Sequence, residues 1–206
     1  MEENALIRNR DYTLLIDKSQ SMSTQDQPGG KSRWEVAQES TYALAKQCEE
    51  YDPDGITVYL FSSRFRRYDN VTSGKVSQVY AENDPMGKTD LLAALEDAIE
   101  NYFQRKAAGE TKPNGETILV ITDGEPEDRK GVMRFIIETS RKLDRDDELG
   151  ISLIQVGEDA KVTEYLKALD DQLLDAGAKF DIVDTITMTE MGNSSLPDVL
   201  LKAITD

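Results

Sequence analysis

No histidine occurs anywhere in the 206 residues, and there is a single cysteine, Cys48. The missing imidazole excludes a Ser-His-Asp triad, a Cys-His pair and histidine-ligated zinc or iron. One thiol excludes thiolate metal sites and an internal disulfide, and it points to a reducing compartment. Cys48 falls in an apolar helical stripe, where a buried core thiol is the expectation. Any metal held by this chain must therefore be held by oxygen. Basic residues are scarce as well: 24 Lys and Arg stand against 40 Asp and Glu, a formal charge of −16. That balance repels nucleic-acid phosphate and anionic membrane surfaces, so neither is expected as a partner. Nothing approaches the roughly 18 apolar residues of a membrane span. The start, Met1-Glu2-Glu3-Asn4, lacks the basic segment of a secretion signal. A soluble, cytoplasmic protein is the expectation.

What is present is a chain whose length suits one domain over residues 1–206. Short β-branched runs alternate with long segments of helical spacing. Tyr12 to Ile16, Ile56 to Phe61, Ile118 to Ile121 and Ile151 to Val156 are apolar on both faces, as strands covered by helices on both sides must be. Between them the apolar spacing changes to three and four. Stripes run through Ala37, Leu44 and Cys48, through Leu91, Leu95 and Tyr102, through Val132, Ile136 and Leu143, and through Val162, Leu166 and Leu173. A last short helix is predicted through Leu196 and Ala203 after Ser195. Ser32 with Glu35 reads as a capping box, Thr89-Asp90 precedes the second stripe, and Pro126 suits a first helical turn. Arg64 to Val71 follows the second strand so closely that it should fold back as an antiparallel edge, and Phe180 to Ile186 suits the opposite edge. The sum is an α/β fold with a mostly parallel sheet and right-handed crossovers. Ligands of such sheets sit beyond the carboxyl ends of the strands, where strand order reverses.

Oxygen donors gather at those ends. Asp17-Lys18-Ser19-Gln20-Ser21 follows the first strand, and in extended backbone residues 17, 19 and 21 would point the same way. Thr122-Asp123-Gly124 follows the third apolar run. Met86-Gly87-Lys88-Thr89 brings a hydroxyl to a helix start. Taken singly each is ordinary: Asp and Ser make local turns, Thr89 can cap a helix, and Asp-Gly is a turn. Taken together, Asp17, Ser19, Ser21, Thr89 and Asp123 form a hard oxygen set suited to Mg²⁺ or Mn²⁺, with Ca²⁺ as an alternative. With so few formal charges around it, such an ion keeps a position for an external carboxylate. Gly29-Gly30-Lys31-Ser32 lacks the first glycine of a phosphate-binding loop and follows no strand. Trp34 is expected to pack at a helix start.

This pattern resembles the metal-ion-dependent adhesion site of von Willebrand factor type A domains, in order, spacing and setting, over about Arg10 to Ile204. The resemblance implies a six-stranded, Rossmann-like three-layer fold with one antiparallel edge strand. It implies metal contact by the two serines and the threonine, and aspartates that bind directly or through water. It also implies a non-enzymatic, intracellular module that holds a protein partner's Asp or Glu carboxylate through the metal. Two positions depart from the family pattern: Gln20 stands where glycine is usual between the second and third ligands, and Lys88 stands within Gly-Gly-Thr. Neither removes a ligand, but both alter the rim. Two alternatives remain. A haloacid dehalogenase-like phosphoryl-transfer enzyme would use Asp17 as nucleophile, yet it needs a second aspartate where Ser19 stands. A metal-free scaffold is the other.

Overall fold

A computed structural model describes residues 9–50 and 54–187. Its six-stranded sheet comprises β1 (Asp11–Asp17), β2 (Ile56–Phe61), β3 (Phe65–Val71), β4 (Glu116–Thr122), β5 (Leu149–Gln155) and β6 (Val183–Ile186). The spatial order is β3-β2-β1-β4-β5-β6. β3 pairs antiparallel with β2, and all other neighbours pair parallel. The chain builds outward from β1 to one edge, returns to lay β4 against β1, then builds to the other edge. The β1–β4 seam is the point where the order reverses.

Alternation along β1 explains the layering. Leu14 and Ile16 join Leu44, Val76 and Tyr80 on one side, where α1 (Arg33–Glu49) and α2 (Ser73–Ala81) pack. Leu15 joins Leu95, Ile136 and Leu166 on the other, beneath α3 (Leu91–Ala108), α4 (Arg129–Lys142) and α5 (Ala160–Gln172). Neighbouring residues of one strand therefore enter two separate cores, which is why the central strands carry no polar face. Trp34 and Cys48 are buried in the first core, and Trp34 rests tilted on Tyr80 with ring centroids 4.4 Å apart.

The predicted capping box is present: Ser32 accepts from the Glu35 amide at 3.1 Å while Glu35 accepts from the Ser32 amide at 2.6 Å. One expectation needs correction. Pro126 does not open a helix. α4 starts three residues later, with Asp128 capping it by accepting from the Gly131 amide at 2.8 Å, because only Asp128 offers a short acceptor at that distance from the turn. The helix α2, which the spacing did not announce, lies between β3 and α3 and buries Val76, Val79 and Tyr80. The helix predicted through Leu196 lies outside the described residues. No helix among the described residues is long and apolar enough to cross a membrane.

Candidate metal centre

Asp17 ends β1 and Asp123 follows β4, so the two carboxylates flank the seam where strand order reverses. Asp17 is fully buried, and Ser19 and Asp123 are nearly so, while Ser21 is exposed. The cluster thus has a closed floor and a mouth at Ser21.

The five donors predicted from sequence come together in one hydrogen-bonded network. Asp17 Oδ1 accepts from the Ser19 amide at 2.7 Å. Ser19 Oγ lies 3.1 Å from Ser21 Oγ, and Ser21 Oγ donates to Asp123 Oδ1 at 2.8 Å. Thr89 Oγ1 donates to Asp17 Oδ2 at 3.4 Å. The route by which the serines converge differs from the expectation. The strand does not continue through residue 21; a 3-10 turn, Gln20–Ser23, begins directly after Ser19. Asp17 holds the Ser19 amide and so starts this turn, which brings Ser21 back towards Asp123.

Neighbouring backbone fixes the rest. Gly124 leaves room for Thr89: a β-carbon at this position would stand 3.1 Å from Thr89 Oγ1. Glu127 N donates to Thr89 O at 3.0 Å, tying the loop before α3 to the loop after β4. Thr122 Oγ1 donates to Asp17 Oδ2 at 2.8 Å, an orienting role that sequence pattern did not distinguish from ordinary strand packing. Lys88 pairs with Glu127 at 2.7 Å on the exposed rim, so this lysine is not an isolated charge.

One participant escaped the sequence reading altogether. Arg33, in the first turn of α1, donates to Asp123 Oδ2 at 2.8 Å and also pairs with Asp26. It packs over Gly157, where a β-carbon would fall 2.6 Å from the guanidinium carbon. No local motif could announce a partner 90 residues away in sequence. The hydrogen bonds that Arg33 donates to Asp26 raise the Arg33 pKa further above its already high value, so the guanidinium is a permanent positive charge at the edge of the cluster. Asp17 has no such neighbour. Burial pushes its carboxyl up from 3.8 to about 6; the charge of Asp123 adds to this, while hydrogen bonds from Ser19 and Thr122 oppose it.

The donor chemistry fits a hard cation. No group of three or more His, Cys, Asp or Glu suited to metal occurs among the described residues, so a metal here would depend on hydroxyls to complete its shell. Adjacent oxygens around Mg²⁺ lie about 2.9 Å apart. Ser19 Oγ to Ser21 Oγ, at 3.1 Å, and Ser21 Oγ to Asp123 Oδ1, at 2.8 Å, already have that spacing.

A family model described as von Willebrand factor type A domain matches residues 12–125. No curated protein matches the chain. Among solved structures the fold is similar to the SpRpn10 VWA domain, at 14% identity and TM-score 0.60, covering 93% of this chain and 93% of that one. It is similar to a mutant of the PilB minor pilin from Streptococcus sanguinis, at 14% identity and TM-score 0.61, covering 96% of this chain but 62% of the pilin. It is also similar to manganese-loaded Plasmodium vivax TRAP protein, at 14% identity and TM-score 0.58, covering 97% and 74%. At these identities the structural likeness is one of fold. The family model matches more than half of the 206 residues, and the chain belongs to the von Willebrand factor type A domain family.

Proposed function

We propose that this chain is a single-domain, cytoplasmic protein-binding module that grips a partner's carboxylate through a divalent cation. Domains of this family commonly mediate protein interactions, and the convergence of Asp17, Ser19, Ser21, Thr89 and Asp123 into one network is the observation that carries the metal reading. Ser19, Ser21 and Thr89 would donate hydroxyl oxygens. Asp17 and Asp123 would supply the charge, directly or through water, as in a metal-ion-dependent adhesion site. Bound Mg²⁺ or Mn²⁺ would offer an electrophilic position to an Asp or Glu side chain of the partner. The neighbour TRAP is described as manganese-loaded, which supports Mn²⁺ as a ligand of such a fold. Exposure of Ser21 leaves a side from which a partner can approach.

The same residues argue against turnover. A phosphoryl-transfer nucleophile must be reached by substrate, and Asp17 is fully buried with both carboxylate oxygens engaged. The position two residues on is Ser19, not an acid. Calorimetric titration with Mg²⁺ and Mn²⁺ tests the metal reading. Ser19→Ala should weaken binding by at least the roughly tenfold that losing an outer-shell partner costs, and Asp123→Ala by more. Equal responses in wild type and both variants would place any bound ion elsewhere on the acidic surface. Metal-dependent hydrolysis of an aryl phosphate that vanishes in Asp17→Asn would overturn the non-enzymatic reading.

A further inference from the structure

Beside the proposed metal centre lies a groove of about 520 Å³ between the β2–β3 turn and the loop before α3. Its charge is opposite to that of the molecule. The chain carries 40 acidic residues against 24 basic ones, yet the groove is lined by Lys18, Arg64 and Arg66 and by no Asp or Glu. Its apolar lining comes from Phe65 and Met86, at 37% and 57% exposure. These are two of the four large hydrophobic side chains exposed among the described residues. Arg66 donates to Tyr68 Oη at 3.2 Å and feels Glu82 nearby, whereas Lys18 and Arg64 have no acidic partner among the described residues.

The groove and the metal centre share one backbone framework. Lys18 lies between Asp17 and Ser19; its amide donates to Phe61 O at 2.8 Å, and its carbonyl accepts from Met86 N at 2.7 Å. Gln20 N donates to Gly87 O at 3.2 Å, and Asp90 N donates to Ser62 O at 3.0 Å. Lys88 N donates to Ser63 Oγ at 3.1 Å. Gly87 adopts φ +81, and a β-carbon there would fall 2.8 Å from Ser63 Oγ, so only glycine lets the two loops approach this closely. Both walls are thus held by hydrogen bonds rather than by a partner, and binding would cost little ordering.

We infer that this groove docks an acidic segment of a partner protein bearing a large apolar side chain, next to the carboxylate that the metal centre holds. The inference rests on the metal reading only for that adjacency. The apolar side chain would lie against Phe65 and Met86, where water is excluded, and flanking Asp or Glu would face Lys18, Arg64 and Arg66 at the rim. The positive rim also supplies orientation: on a strongly negative protein it is a place an acidic segment can approach without repulsion.

The test is selection of displayed random peptides against the intact chain, once with Mn²⁺ and once with chelator, followed by binding of the enriched peptides to Met86→Ser and Arg64→Glu. Both side chains are exposed, and the two residues serve the hydrogen bonds of the fold only through their backbones, which the substitutions keep; melting curves check that the variants remain folded. Enriched peptides should be acidic with one large apolar residue. Met86→Ser should weaken them by about tenfold or more, and Arg64→Glu should weaken them and flatten their salt dependence. No enrichment, or peptides lacking either feature, or affinities indifferent to both variants, would overturn the inference. Binding that needs Mn²⁺ but ignores the groove variants would uphold the metal centre and remove the groove. Binding that needs the groove but persists in chelator and in Asp123→Ala would do the reverse. Self-association of wild type that disappears in Met86→Ser would give the groove to a second copy of the chain and refute the acidic partner.

Discussion

Asp17→Asn should stabilise the metal-free protein while abolishing its response to metal. The wild-type carboxyl is fully buried, its pKa pushed from 3.8 to about 6 by that burial and by Asp123. Raising a folded-state carboxyl pKa favours its neutral form, so the folded protein binds more protons than the unfolded chain between pH 3.8 and 6. Stability then falls as pH rises through that window, and the penalty is complete above about 6. Its size at neutral pH is about 3 kcal/mol. Asparagine removes the charge but keeps the shape. Its carbonyl oxygen can accept from the Ser19 amide, and the Thr122 hydroxyl, which now donates to Asp17, can turn to accept from the new amide. In chelator at neutral pH the variant should gain about 3 kcal/mol, a rise in Tm of roughly 6 to 12 °C for a domain of this size. The gain should shrink towards nothing below pH 4, where both proteins are neutral at this position. Urea denaturation at a series of pH values reads this directly. A variant that is less stable than wild type at neutral pH, or a difference that does not vary with pH, would refute the argument that ionised Asp17 opposes folding.

Three further outcomes follow from the same geometry. Metal and proton compete for Asp17, so Mn²⁺ affinity should be constant above about pH 6 and fall about tenfold per pH unit below it; calorimetry at pH 5 and 7 checks this, and a flat profile contradicts it. Arg33→Ala strips the buried Asp123 carboxylate of its cation, so the variant should lose about 3 kcal/mol in chelator and show a larger metal-induced rise in Tm than wild type. At the opposite end of the sheet, Gly115→Ala should cost more than about 2 kcal/mol, because Gly115 adopts φ +77 and its β-carbon would fall 1.8 Å from Glu148 O; an unchanged Tm would contradict the observed backbone.

Much of the fold was legible because the central strands are buried on both sides. Ile56 to Phe61 was read with both ends correct, since burial forces nearly every residue of β2 to be apolar. β4 extends beyond its apolar run at both ends, and β5 starts two residues before its own and stops one short of Val156; at Glu116 the extension follows from a polar side chain that the fold buries and satisfies, a contact no local pattern reveals. α2 was missed because its nine residues bury only Val76, Val79 and Tyr80, too short a stripe to stand out from a loop. The donors of the metal centre were legible because each falls at a strand end or before a helix. Their geometry was not. Residues 17, 19 and 21 were expected to align along extended backbone, and a turn nucleated by Asp17 brings them together instead. Arg33 was invisible for a simpler reason: its link to Asp123 exists only once α1 lies across the end of β4.

Two buried carboxylates at opposite ends of the sheet show what sets the candidate centre apart. Glu116, at the start of β4, is 1% exposed and Asp17, at the end of β1, is 0% exposed; burial is the largest influence on both, and it raises both pKa values. For Glu116 the next influence is Arg105, which pairs with it and with Asp11, while the Thr13 hydroxyl donates to its other oxygen. The chain thus supplies its own cation there, and the arrangement is complete as a structural ion pair. For Asp17 the charged group among the described residues that acts on it most is Asp123, which is negative and whose own guanidinium partner lies on Oδ2, while Oδ1 faces Ser21. A buried carboxylate without a cation is costly and is rarely retained by packing alone. Perturbed groups of this kind gather at functional sites, where stability is given up for binding or chemistry. The contrast between the two ends supports a centre whose missing positive charge comes from outside the chain.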